Sequence, residues 1–572
     1  MHARHSVFHL ITATMNRNDL QIFCKNTQEY FDVTGGETLL DVARTLRSRL
    51  NVNPLCALVN NKVEDLNYPI YHPKQVEYVG IEHPSGQRVY VWSLCMVLYK
   101  ALNDLYPGKR LRFEHSMSGG YYCIIKHDTE DVTPEMVFDL HRRMAEIIEA
   151  DMPFVRRERL TVDVIEMFRE QGLNDKVRLL ETVPQLYTTY YKLDDIIDSF
   201  YGPLVPSTGY LKHWDLQPYA GGMVLMAPRD SSENPELTFA HRPKMFQAFK
   251  DYVTFNDIIG IDDVGGVNKA IANHQAPMLI NVAEALHNKM FDTIARDIAQ
   301  RYEHGGARVV LIAGPSSSGK TTSSKRLAIQ LVTNYIVPKV INLDNYFVNR
   351  DRTPRDESGD YDYESLYALD LEQFNHDLTD LLAGKEVSMP TYNFTTGQRE
   401  YRGNTLQLQD NNILLIEGIH GLNPELTKPI PEEQKFRLYV SALTTLNIDD
   451  HNWIPTSDTR LLRRIVRDSK YRGASARDTI SRWASVRRGE EKWIFPFQEN
   501  ADATFNSSLL FEIPVIKLQA ENVLRQVPNN VPEYAEANRL LRFLAYFDSI
   551  DETDIPSTSL LREFVGGSSF HY

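Results

Sequence analysis

Short apolar runs broken by turn residues fill the first eighty positions. They read LQIFC, YFDVTGG, CALVNNKVEDL and QVEYVG, and they surround one stretch of helical periodicity, Glu37 to Leu50, with Thr38 as its N-cap. Asn60-Asn61 between two of the runs predicts a hairpin, so this part reads as a small α+β module. From about Val89 to Ala227, helical patterns (WSLCMVLYKALNDLY, TPEMVFDLHRRMAEIIEA, VDVIEMFREQG) mix with the strand patterns GGYYCIIKHD and GGMVLMA, which predicts a second α+β domain. The polar break PRDSSENPELT follows. Helical segments, HRPKMFQAFKDYVTFNDII and QAPMLINVAEALHNKMFDTIARDIAQRY, then lead to Gly305-Gly306. From Arg308 the pattern changes to RVVLIAG, KVINLD, NILLIEG and KFRLYVSA, separated by helical stretches. Runs so rich in Val, Ile and Leu predict a parallel sheet covered on both faces, hence an α/β domain.

At 572 residues the chain is long enough for three or four domains at roughly 150 residues each. Apolar residues make up 42% and charged residues 24%, which excludes wholesale disorder. A net charge of -14 disfavours broad coating of nucleic acid and leaves room only for a locally clustered basic site. The four cysteines form no CxxC pair, so reduced thiols in a cytoplasmic protein are expected. No window approaches the ~18 apolar residues that cross a bilayer, and no membrane partner is expected.

The sharpest chemical signal is Gly314-Pro-Ser-Ser-Ser-Gly319-Lys320-Thr321, a full GxxxxGK[ST] between a predicted strand and a predicted helix. Glycines let such a loop turn its N–H groups onto phosphates, the lysine neutralises β/γ oxygens, and the threonine hydroxyl suits Mg²⁺. The strand Val340 to Leu343 ends in Asp344, placed to take a proton from an attacking hydroxyl or, equally, to cap a helix. Glu417 closes the strand ILLIE, as either a Mg²⁺-holding acid or a buried, hydrogen-bonded carboxylate. Arg460, Arg463, Arg464 and Arg467 recur at i, i+3, i+4 and i+7, and Arg472, Arg477, Arg482, Arg487 and Arg488 follow. Beside a phosphate loop this guanidinium-rich face reads as a lid on polyphosphate; a solvated charged face is the alternative.

Together GPSSSGKTT, LDNYF, the YDY containing Asp362, PTYNF, ILLIEG and DTRLLRRIVRD resemble the uridine kinase family of P-loop nucleoside kinases, related to phosphoribulokinase and pantothenate kinase. The resemblance spans about Arg308 to Phe511. It implies ATP held by Gly314, Ser316, Ser317, Ser318, Gly319, Lys320, Thr321 and Thr322 with Arg464, and Mg²⁺ held by Thr321 and Glu417. It implies Asp344 as the catalytic base, helped by Lys320, Arg463 and Arg467, and an acceptor contacted by Asp344, Asp362, Tyr392, Arg399, Arg460 and Arg482. Two base-selecting positions differ: the family's histidine falls on Gly397 and its lid-distal glutamine on Arg482.

The front half has its own likeness. Residues 16 to 80 resemble the TGS β-grasp module. Residues 83 to 228 resemble the second N-terminal domain of threonyl-tRNA synthetase through HSMSGGYYC, EIIEADMPFVRRERLTVDVIEMFREQG and DSFYGPLVPSTGYLKHWDL. The polar editing positions of that domain align with Trp92, Met96, Phe200 and Leu204, which implies a retained fold without editing chemistry.

The expected organisation is an N-terminal lead (1–15), a TGS-like domain (16–82), a degenerate synthetase-like domain (83–230), a helical connector (231–304) and a P-loop kinase domain (305–572). The expected activity is transfer of the ATP γ-phosphate, with Mg²⁺, to a nucleoside 5′-hydroxyl. Rival readings are a kinase of another small alcohol such as pantothenate or a sugar phosphate, and an RNA-binding or regulatory protein switched by ATP. RNA contact through the N-terminal half stays open, and the family implies a homo-oligomer.

Overall fold

The computed structural model describes residues 19–117, 119–126, 132–356 and 359–572. The expected N-terminal lead lies outside the described residues, as do the first positions, 16–18, of the TGS-like module. The chain forms two compact units. Of the described residues, one unit holds those up to Ala240 together with Ile448–Trp453 and Val527–Phe543; the other holds those within His241–Asn447, Ile454–Gln526 and Leu544–Tyr572.

The first unit begins with β1 (Asp19–Cys24), β2 (Glu29–Thr34), α1 (Leu39–Thr45), β3 (Cys56–Val59), β4 (Lys62–Glu64) and β5 (Gln75–Val79), in a sheet of order β2-β1-β5-β3-β4. Leu39 and Val42 of α1 bury against Ile22, Val33 and Val76 of that sheet. Thr38 caps α1 in a reciprocal capping box with Asp41, as its position predicts. The helix is shorter than the Glu37–Leu50 periodicity, because after Thr45 the chain passes into successive turns bonded from Leu46 to Val42 and from Arg49 to Leu46. Asn60 and Asn61 both take positive φ, 48° and 59°, the conformation a tight hairpin requires.

Beyond it come α2 (Pro84–Leu105), β6 (Arg110–Met117), β7 (Gly120–Lys126), α3 (Pro134–Glu149), β8 (Val155–Leu160), α4 (Thr161–Glu170), α5 (Asn174–Leu180), β9 (Tyr187–Leu193), β10 (Ile196–Asp198), β11 (Asp215–Tyr219) and β12 (Gly222–Met226). They build one sheet of order β11-β12-β7-β6 and another of order β10-β9-β8. Helix α2 is apolar nearly all round, and from Val89 to Leu102 every residue is buried.

In the second unit α6 (Pro243–Ile259), α7 (Val264–Ala272) and α8 (Ala276–Glu303) precede β13 (Val309–Ala313), α9 (Lys320–Thr333), β14 (Val337–Asn342) and α10 (Leu371–Leu382). The hairpin β15 (Val387–Asn393) and β16 (Gln398–Leu406) follows, then β17 (Asn412–Glu417), β18 (Lys435–Ser441), α11 (Thr456–Tyr471), α12 (Ala476–Trp493) and α13 (Glu512–Leu524). The central sheet is parallel in the order β14-β17-β13-β18, with Ala503–Asn506 on the far edge, as the apolar runs predict. The helical stretch before β13 packs onto this unit. Arg326 of α9 pairs with Glu284 of α8 at 3.1 Å and donates to Asn288 at 2.8 Å. No described helix is long and apolar enough to cross a membrane.

Candidate active site

The loop Gly314–Gly319 joins the carboxyl end of β13 to α9, with neighbouring strands β17 and β18 on either side, where open parallel sheets receive ligands. Its backbone needs its glycines. A Cβ at Gly314 would come within 2.0 Å of the Val440 carbonyl, and Gly319 turns the chain into α9 at φ +85°. The hydroxyls of Ser317 and Ser318 are buried without a partner, and Lys320 Nζ rests on the Pro315 carbonyl at 3.2 Å. Such orphaned donors around a loop of this geometry suit phosphate oxygens.

Thr321 Oγ1 donates to Glu417 Oε1 at 2.8 Å, which joins the two expected Mg²⁺ ligands. Burial pushes Glu417 up to about 7 against the pull of Lys320 and the Thr321 hydroxyl. A hydroxyl and a carboxylate meeting beside a lysine fit a hard divalent cation and a polyphosphate. At the end of β14, Asp344 is anchored by its N–H on Asn342 Oδ1 at 2.8 Å. Its side chain is open to solvent, yet the surrounding protein raises its carboxyl above the usual range while Lys320 and Arg472 pull it down.

The arginines of α11 divide into two groups. Arg460 is fully buried, bonded to Glu490 through both terminal nitrogens, and it donates to the Ser316 carbonyl at 3.1 Å. Arg463 is equally buried, bonded to Glu512 and donating to the Ser317 carbonyl at 3.3 Å. Both therefore grip the back of the phosphate loop, whereas the sequence reading set Arg460 toward the acceptor and Arg463 at the transferred group. Arg464 reaches Ser316 Oγ at 2.8 Å and Arg467 pairs with Asp468 at 3.2 Å. Arg482 is exposed on α12, one turn from Asp478.

On the expected acceptor side, Asp362 Oδ1 accepts from the Glu364 N–H at 3.1 Å, and Arg399 pairs with Asp370 at 2.9 Å. The Tyr392 ring packs edge-on against Phe347 and Phe394, at 5.5 and 5.1 Å. The space beside Gly397 is filled: Arg350 lies against it, donating Nε to Tyr363 Oη at 3.2 Å and Nη2 to the Phe394 carbonyl at 2.6 Å. Sequence reasoning missed Arg350, and it missed Glu364, whose carboxyl burial and Glu490 push up to about 7 while Arg464 and Lys320 oppose. Neither sits in a spacing pattern; YDYES alone offered Glu364 as an extra acid.

In the first unit Trp92, Met96, Phe200 and Leu204 are all buried. Trp92 presses on Gly202, where a Cβ would come within 2.0 Å of its ring. Beside Phe200, Lys176 is held by Asp198 at 2.8 Å and Asp449 at 2.9 Å, and His451 Nδ1 meets Asp198 at 2.7 Å.

A parallel sheet with a phosphate loop on its central strand defines the second unit as a P-loop domain. Residues 309–510 match the Phosphoribulokinase / Uridine kinase family, so the loop, the β15–β16 hairpin and the arginine helix all fall within the matched stretch. The N-terminal region is similar to threonine–tRNA ligases. The chain is 31% identical over 185 residues to that of Carboxydothermus hydrogenoformans, covering 32% of this chain and 29% of the relative. It is 30% identical over 207 residues to that of Rubrobacter xylanophilus, covering 36% and 31%. The chain thus spans only about three tenths of the length of these relatives. Among solved structures, one described as a possible uridine kinase from Bacillus stearothermophilus aligns at 23% identity and TM-score 0.25, covering 35% of this chain and 89% of that one. The D-glycerate 3-kinase of Cryptococcus neoformans aligns at 13% and 0.21, covering 45% and 87%.

Proposed function

We propose that this protein is an ATP-dependent phosphotransferase acting on the 5′-hydroxyl of a nucleoside. The observation that carries the reading is the Thr321–Glu417 pair at 2.8 Å next to Lys320, with Asp344 at the end of the second strand over from β13. MgATP, when bound, supplies the electrophilic phosphoryl group and a divalent positive charge. The loop amides and Lys320 hold and neutralise the phosphates, while Thr321 and Glu417 take the metal side. Asp344 Oδ accepts the acceptor's hydroxyl proton, and the surrounding protein raises its affinity for one. Arg464 and Arg467 offset charge in the transition state, and Arg460 and Arg463 fix the loop that positions it. Tyr392, Phe347 and Asp362 shape the acceptor side.

Arg350 favours one second reading. A guanidinium offers donors only, so a phosphorylated sugar or a carboxylate-bearing alcohol such as pantothenate would also suit that corner. ATP consumption measured across nucleosides, sugar phosphates and pantothenate separates the two. Turnover with a nucleoside, lost in Lys320→Ala, supports the main reading; turnover only with anionic alcohols moves the assignment to the second.

A further inference from the structure

The N–H of Thr322 lies in the first turn of α9, among the helix donors that have no intrahelical acceptor and that face phosphate in a P-loop. In this structure it is taken. Glu563 Oε2 accepts from the Thr322 N–H at 3.3 Å and from Thr322 Oγ1 at 2.7 Å, and Tyr572 Oη lies 2.9 Å from the same hydroxyl. The Leu560 side chain sits over Gly319, close enough that a Cβ there would meet it at 2.7 Å.

The segment that delivers these groups is well seated. Leu560 and Phe564 are fully buried, the Arg463 guanidinium stacks over the Phe564 ring at 5.1 Å, and Arg562 donates to the carbonyls of Glu552 and Ile555 at 2.8 and 2.7 Å. Lys470 Nζ adds a bond to the Val565 carbonyl. A carboxylate on a helix N-terminal amide occupies the place of an anionic phosphate oxygen and gains from the same positive end of the helix.

We propose that residues Leu560–Tyr572 form an internal plug in which the Glu563 carboxylate stands in for a nucleotide phosphate, so that nucleotide entry must displace it. Two anions cannot share the Thr322 amide, and the apparent affinity for nucleotide is lowered by the fraction of molecules in which the plug is seated. The inference rests on the phosphate-loop reading, and the test separates the two.

MgADP binding to the full chain, measured by titration calorimetry, should tighten about tenfold in Glu563→Gln, which keeps the side chain's shape and removes its charge, and by a smaller factor in Tyr572→Phe. Hydrogen exchange on the unaltered chain gives an independent readout: MgADP should speed exchange across Leu560–Tyr572. Binding that is unchanged or weaker in Glu563→Gln, or slower exchange of that segment on adding MgADP, overturns the plug. If the unaltered chain and Lys320→Ala bind MgADP equally, or if Glu563→Gln also fails to bind it, the phosphate-loop reading falls and the plug with it.

Discussion

Each unit buries a set of charges, and the two sets serve opposite ends. In the first, Lys176, Asp198, Asp449 and His451 satisfy one another beside Phe200, and Trp92, Met96, Phe200 and Leu204 are buried as apolar side chains. In the second, Arg460–Glu490 and Arg463–Glu512 are equally sealed, but their N–H groups also reach out to carbonyls of a loop whose Ser317 and Ser318 hydroxyls stay unsatisfied. Buried ion pairs cost desolvation wherever they occur. Their value here depends on what they hold: a closed interior in one unit, a phosphate-type loop in the other.

The largest expected effect falls on the loop itself. Lys320→Ala should lower kcat by about a thousandfold or more, near 4 kcal/mol of transition-state stabilisation, and Asp344→Asn should act in the same direction; steady-state kinetics with the true acceptor measures both. Next come the sealed pairs. Arg463→Met strands Glu512, and Lys176→Met takes the cation from Asp449 and leaves Asp198 with His451 alone, so each should cost about 3–5 kcal/mol in denaturant unfolding. Arg467→Ala, which leaves Asp468 still paired with Arg464 and Arg472, should cost under about 1 kcal/mol of stability while lowering kcat. Equal stability losses for Arg463 and Arg467 would erase the distinction between the sealed, loop-holding Arg463 and the partly open Arg467.

Glu417 gives a pH signature. Its folded-state affinity for a proton is raised to about 7, so the folded chain binds that proton more tightly than the unfolded chain does. Stability from this group therefore falls as pH rises from the ordinary carboxylate range through about 7. Without nucleotide, the melting temperature of Glu417→Gln relative to the unaltered chain should be higher at pH 8 than at pH 5. The first unit should show the reverse of a functional site: metal analysis should find no bound Zn²⁺, and mischarged threonyl-tRNA should not be hydrolysed. The smallest effect concerns base choice. With Arg350 in the corner beside Gly397, kcat/KM for uridine should exceed that for the best purine nucleoside by no more than about a hundredfold.

Local signals were legible in the sequence. The Thr38 cap, the Asn60-Asn61 turn, the apolar runs of the parallel sheet and the GxxxxGK[ST] loop each depend on residues a few positions apart. The arginine spacing was legible as a helix face, but its partners were not, since Glu490 and Glu512 lie 30 and 49 residues from the arginines they hold. Distance in sequence also hid Glu563, 241 positions from Thr322. Arg350 was hidden in the same way, since it comes to lie beside Gly397 only once the β15–β16 hairpin folds next to it.

The central claim is that the loop, Glu417 and Asp344 form one phosphoryl-transfer site for a nucleoside. Phosphorus NMR of a reaction containing MgATP and a uridine, cytidine, adenosine, guanosine and inosine mixture tests it most directly. The account predicts a nucleoside 5′-monophosphate resonance that grows with ADP in the unaltered chain and is lost in both Lys320→Ala and Asp344→Asn. Inorganic phosphate as the only product, or a 5′-monophosphate formed at an undiminished rate by Asp344→Asn, would contradict it.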